Sequence, residues 1–207
     1  MGGIYEIDGV KPIIDASTFI HPDATIIGDV EIGAGCYIGP GASLRGDFGR
    51  IVVGAGSNVQ DGCTLHSFPE RSCTLAPNSH VSHGCVLHGC LVEEYGFVGI
   101  GAVVMDGATI GENAMVAAMA FVKAGFEVPP ATLVAGIPAS VVRELSETER
   151  TFKQGGVETY QQLAARSLAT LKETQPLRAA EASRPELSVD ASRSKALHER
   201  KAEKHSD

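Results

Sequence analysis

Four histidines crowd one part of this chain. The stretch DGCTLH (61–66) carries His66, and HVSHGCVLHGC (80–90) carries His80, His83 and His88, out of seven histidines in 207 residues. Imidazoles at such spacing suit two kinds of chemistry near neutral pH. They hold a transition metal through neutral ring nitrogens, or one of them moves a proton as a general base. Amide and carboxylate side chains that could orient a water lie just before them at Asn58, Gln60 and Asp61, and Arg45 and Asp47 come earlier still. Which of these residues meet depends on the element that carries them.

That element is a repeat. Ile20, Ile26, Ile32, Ile38 and Leu44 recur every six residues, and the spacing resumes at Val53, Val59 and Leu65, at Leu75, Val81 and Leu87, and from Val92 to Val122. A small residue commonly precedes each aliphatic by two, as at Ala24, Ala42, Ser57 and Ala102, and glycine often follows it. This is the hexapeptide pattern of a parallel β-helix. Each hexad is a short strand and a turn, three hexads close a coil, and coils stack at about 4.8 Å. The fold class is therefore an all-β solenoid. The cysteines Cys36, Cys63, Cys73, Cys85 and Cys90 all occupy the small position. They read as buried packing residues rather than as a thiolate site or a disulfide framework.

The register breaks three times. Three residues are inserted around RGDFGR, four around HSFPERS, and one is missing between Leu87 and Val92. Insertions in a solenoid become side loops, where function collects. In register, Ile26, Leu44, Leu65, Leu87 and Val104 form one inward column. The residue after each points outward, so Arg45, His66 and His88 stack on successive coils. Two nitrogens on one tetrahedral zinc, each about 2.0–2.1 Å from the metal, stand a little over ~3 Å apart, which adjacent coils allow. His83 belongs to another corner: five residues of nearly extended chain, up to roughly 16 Å, separate it from His88. It is poorly placed to share a metal with His88 of its own chain; a neighbouring subunit packed against that corner could deliver it instead. Asp61 lies one coil from His83. His80, stacked on Asn58, is either a surface residue or a support for the site. His21, His198 and His205 read as surface residues.

The remaining elements follow from composition. Residues 1–16 read as a lead-in strand, 17–125 as the β-helix, 126–145 as an exit segment, 146–175 as a C-terminal helix and 176–207 as a disordered tail of Arg, Glu, Ser, Lys and Ala. Ser146 and Glu149 form a capping box. Gly155-Gly156 is expected to interrupt the helix. Beyond it Val157, Tyr160, Ala164, Leu168 and Leu171 share one face, which makes Tyr160 a packing residue. The net charge of −8 invites neither nucleic acid nor an anionic membrane. No apolar run reaches membrane-spanning length, and no basic-then-apolar leader opens the chain. A cytoplasmic location with a small-molecule substrate is expected.

SLRGDFGRIVVG, NVQDGCTLH, HVSHGCVLHGC and VVMDGATIGENAMVAAMAFVKAG together resemble the γ-class carbonic anhydrase-like hexapeptide-repeat family, over about residues 3–175. IYEIDGVKP, HSFPERS and RELSE favour its phenylacetate-degradation (PaaY) type beside the carnitine-operon (CaiE) type. The resemblance implies a left-handed helix and a homotrimer with metal sites between subunits. It implies His66, His83 and His88 as ligands, with His83 from the adjacent subunit, and a Zn²⁺ cofactor, although three imidazoles suit Fe²⁺ or Co²⁺ equally. It makes Arg45 and Asp47 an interface ion pair, gives Asn58, Gln60 and Asp61 the orienting of water, and sets Tyr160 near the pocket. Three ligands leave a coordination position open, and a metal there makes hydroxide available near pH 7. The expected reaction is hydrolysis of an aryl-CoA thioester, hydration of CO₂, or both. The loop 66–74 has Glu70 as its only carboxylate and lacks the acidic proton-shuttling loop of archaeal carbonic anhydrases, which weighs against fast CO₂ hydration. Two rivals remain: a hexapeptide acyltransferase using one histidine as base and acyl-CoA as donor, and a non-enzymatic trimeric accessory protein.

Overall fold

In the computed structural model, residues 2–187 are described; the end of the tail, with His198 and His205, lies outside them. The hexads form parallel strands of mostly two or three residues. Three inward columns run the length of the stack. One continues Ile26, Leu44, Leu65, Leu87, Val104 and Val122 in register, and every one of these side chains is fully buried. A second runs from Ile38 through Val59, Val81, Val98 and Val116 to Val134, and a third from Ile32 to Val128. One ladder of β-branched and leucine side chains per face explains how a chain with so few aromatics makes a core. All five cysteines are buried and unpaired.

Two of the three faces are joined by long strands, Thr25–Ile32 and Ser43–Val53, that run round a corner. The parallel coils continue beyond residue 125. Glu127–Val128 pairs with Thr109–Ile110, and Leu133 and Val134 pair with Met115 and Val116. Only then does Ala139–Glu144 fold back antiparallel. Pro129 and Pro130 fall in the turn, where no ladder hydrogen bond is needed.

The C-terminal helix is a single element, Glu147–Thr170, unbroken at Gly155-Gly156. It runs back along the stack: Gln154 bonds Asn113, while Gln161 bonds Asn78 and the Gly56 carbonyl. Val157 and Ala164 are buried, but Leu168 and Leu171 are about half exposed; Leu171 borders an open hollow shared with Phe19 and Tyr37 instead of packing into the core. Ser146 and Glu149 cap each other, and Arg143 clamps the same carboxylate. Ser146→Ala should cost about 1 kcal/mol, read as a lower urea midpoint at unchanged slope. Among the described residues no helix is long and apolar enough to cross a membrane. Residues 176–187 carry no helix or strand.

Candidate metal and active site

His66 and His88 are directly opposite on adjacent strands. His66 Nδ1 stands 3.0 Å from His88 Nε2. The outer nitrogen of each ring is held by a carboxylate: His66 Nε2 lies 2.9 Å from Asp47 Oδ1, and His88 Nδ1 lies 2.7 Å from Asp106 Oδ1. Arg45 pairs with the other Asp47 oxygen. Burial alone would raise the Asp47 carboxyl, but hydrogen bonds from Arg45 and His66 outweigh it and hold it below the usual carboxylate range. The two insertions supply aromatic walls, although the first does not form a side loop: its residues stay within the strand Ser43–Val53, and only the second is a loop. Phe48 lies 5.5 Å from the His66 ring and Phe68 4.7 Å from the His88 ring, both largely exposed.

His83 sits on a different corner. Its Nδ1 lies 3.0 Å from Asp61 Oδ2, one coil below. Gly84 closes that corner in the left-handed region, φ 68°, where glycine is not penalised, and its N–H bonds the Asp61 carbonyl. Among the described residues no three metal-binding side chains of one chain converge. The chain therefore presents two part-sites, a facing pair and a single histidine.

Beside His83 a cleft of about 390 Å³ opens between the solenoid face and the helix, reached by Gln60, His80 and Tyr160. Gln60 and Asn58 are buried. Gln60 Nε2 donates to Asn58 Oδ1 at 3.0 Å and lies 2.8 Å from His80 Nε2. Asn58 Nδ2 lies 3.2 Å from His80 Nδ1. His80 stacks on Phe97 at 4.4 Å, with the Tyr160 ring edge-on to it. Burial pushes the His80 pKa down to about 3, with Lys153 and His83 adding to the effect, so it is a neutral imidazole in a closed amide network rather than a surface residue. Tyr160 also packs on Tyr37, and burial raises its phenol to about 12, aided by Asp61; it stays protonated.

The structure thus brings Arg45, Asp47, His66 and His88 together, and Asn58, Gln60, Asp61, His83 and Tyr160 together on the other corner. Asp106 was not legible as a partner of His88. It stands before Gly107 and has the signature of a turn residue; only its place eighteen residues after His88, one coil, could have pointed to it.

Hexad coils, an inward aliphatic ladder and a returning helix define a left-handed parallel β-helix of hexapeptide repeats, a class commonly trimeric and acting on small molecules. A family model described as bacterial transferase hexapeptide (six repeats) matches residues 11–46. The chain is 48% identical over 183 residues to the carnitine operon protein CaiE of Escherichia coli K12, covering 88% of this chain and 93% of that one. It therefore belongs to the hexapeptide-repeat family that contains CaiE. Among solved structures it is similar to a Bacillus cereus protein described as an acetyltransferase, with TM-score 0.79, 36% identity and coverage of 80% and 96%. A hexapeptide transferase family protein from Anaplasma phagocytophilum gives TM-score 0.75, 37% identity and coverage of 78% and 95%.

Proposed function

We propose that this protein is a metal-dependent hydrolase of the γ-carbonic anhydrase-like type, a homotrimer with sites between subunits, cleaving aryl-CoA thioesters of the PaaY kind and hydrating CO₂ as a lesser activity. One observation carries the reading. His66, His83 and His88 each have one ring nitrogen on a carboxylate, from Asp47, Asp61 and Asp106 respectively. Carboxylate-backed imidazoles are the usual surroundings of metal ligands. With those N–H groups donated outward, His66 Nδ1 and His88 Nε2 face each other at 3.0 Å as two lone pairs, an arrangement that calls for a cation between them. Zn²⁺ suits this donor set, as do Fe²⁺ and Co²⁺.

His66 and His88 of one subunit and His83 of the next would hold the metal. When bound, it supplies a hydroxide nucleophile near neutral pH. The chain's own groups do the rest. Asn58 Oδ1 and His80 Nε2 hold the Gln60 amide hydrogens, which turns the Gln60 oxygen to the cleft as an acceptor for the attacking oxygen's proton. Asp47 fixes the His66 ring and Arg45 fixes Asp47. Tyr160 closes the wall behind His80. In hydrolysis the attacking oxygen bonds the thioester carbon, the C–S bond breaks, and the sulfur departs as the thiol with the proton.

The test is metal per chain by mass spectrometry on anaerobically purified protein. About one ion is expected for the wild type and little for His83→Ala, with thioester cleavage lost in parallel. Asp106→Asn should keep the ligand yet weaken the metal about 10- to 100-fold, measured by chelator competition. A metal-free, folded, active wild type would sink the reading. It would favour acyl transfer, which the Bacillus cereus relative's description supports; acyl-CoA consumed only with an acceptor present identifies that case.

A further inference from the structure

The Gly155-Gly156 pair has no turn to make. Both residues are helical, in a context where glycine is the worst tolerated residue after proline. A Cβ at Gly156 would meet nothing within 4 Å, and Gly156 lines the cleft that reaches His83 and Gln60. The missing side chain keeps that space open. The cleft's size suits a small molecule. Its walls are Phe97, Ile100, Met115 and Phe152, and among the described residues its one cation is Lys153. The Lys153 ammonium stands 3.7 Å from the centre of the Phe97 ring, and that ring's stacking partner is His80. Burial lowers the Lys153 pKa, against a smaller pull from Glu149. Glu149 is itself held by Arg143 and Ser146. A cation over an aromatic face in an apolar cleft has room for one anionic partner.

We propose that this cleft is an acyl-binding pocket, and that it takes a flat apolar acyl group ending in an anionic oxygen held by Lys153. The carbonyl end lies beside His83 and Gln60. His83 shares its level with Val81, and Phe97 lies one coil further along, so the path to Lys153 spans one to two coils, about 5–10 Å. That is the reach of a para-substituted phenylacetyl group. An acyl group ending in a quaternary ammonium meets Lys153 and is rejected. The inference deepens the thioesterase reading and rests on it for the placing of the carbonyl.

The experiment measures binding by calorimetry to the full-length protein. The probes are non-cleavable CoA ketone analogues, CH₂ replacing the thioester sulfur, of phenylacetyl, 4-carboxyphenylacetyl and 4-trimethylammoniophenylacetyl groups. The carboxylate should bind about tenfold tighter than the unsubstituted probe and the ammonium about tenfold weaker. Lys153→Gln should collapse that order. Gly156→Leu should weaken all three about tenfold or more while raising Tm, since leucine is the better helix former. Gly155→Leu, off the cleft, should raise Tm and leave binding alone. Binding that ignores charge and Gly156 overturns the proposal, and so does a Gly156→Leu protein that falls apart into monomers, which would mark the cleft as a subunit seat. Metal is assayed in the same samples. The expected order in metal-free protein would leave the pocket standing and remove the hydrolase reading; a metal-loaded protein with no such order would do the reverse.

Discussion

Mixing two inactive variants should restore activity. His83→Ala and His88→Ala each remove one proposed ligand from every site, so each alone should lose metal and fall in kcat/KM by about 10³-fold or more. In a cyclic trimer every interface is heterologous, with one subunit presenting His83 and the next presenting the His66–His88 pair. When the variants are refolded or expressed together in equal amounts, an intact site forms where a His88→Ala subunit presents its His83 to the pair of a His83→Ala subunit. That occurs at about one interface in four. Activity and metal should both return to about a quarter of wild type. Sites built within one chain would gain nothing from mixing. The prediction follows from the corner geometry. His66 and His88 face each other at 3.0 Å, whereas His83 is held to Asp61 on another corner, and among the described residues no third ligand of the same chain joins the pair. A restored quarter of the activity without restored metal would separate the two halves of the argument.

The fold and half of this site could be read from spacing because a solenoid converts sequence number into height. The distance from His66 to His88 equals one coil, including its four-residue insertion, so two ordinary-looking histidines become neighbours by counting. The same counting placed Asp61 under His83 and Asn58 under His80. It failed where local chemistry imitated something else. Pro129-Pro130 looked like an exit from the stack, yet Val128 and Val134 keep the six-residue step, and the prolines merely occupy a corner. Gly155-Gly156 looked like a helix break. Intrinsic propensity argues for one, but the helix is held from outside itself by buried Val157 and Ala164 and by Gln161 on Asn78, and tertiary packing outweighs two unfavourable residues. Asp106 imitated a turn, and no pattern in the sequence singled out Lys153. Neither residue announces a site by type; each acquires one by what the coil below or the helix above sets against it.

Acid should destabilise the protein through His80 before it reaches the carboxylates. The folded-state pKa is about 3 against 6.5 for the free side chain. Between those values the unfolded chain binds a proton that the native protein refuses. His80's contribution is therefore complete above about pH 6.5 and declines as pH falls toward 3, by up to about 1.4 kcal/mol per unit. Asp47 acts in the same direction only below its ordinary value of 3.8, so in metal-stripped protein, where acid release of the proposed ion plays no part, the window from pH 6.5 to 4 separates His80 from it. Urea midpoints across that window should fall steadily for wild type and nearly level off for His80→Gln; parallel curves would remove His80 as the cause. The network gives the refusal a functional edge. A neutral imidazole can satisfy only two sides of the Asn58–Gln60–His80 triangle. The long side, 3.2 Å from Asn58 to His80, is the one left without a hydrogen bond when Gln60 donates to both partners. A doubly protonated ring would satisfy all three sides, but only with both amides turned over, and Gln60 would then show the cleft a donor instead of its oxygen. Keeping His80 buried and neutral holds that oxygen where an attacking water needs an acceptor. Activity of His80→Gln should accordingly fall in kcat more than in KM, with metal content unchanged.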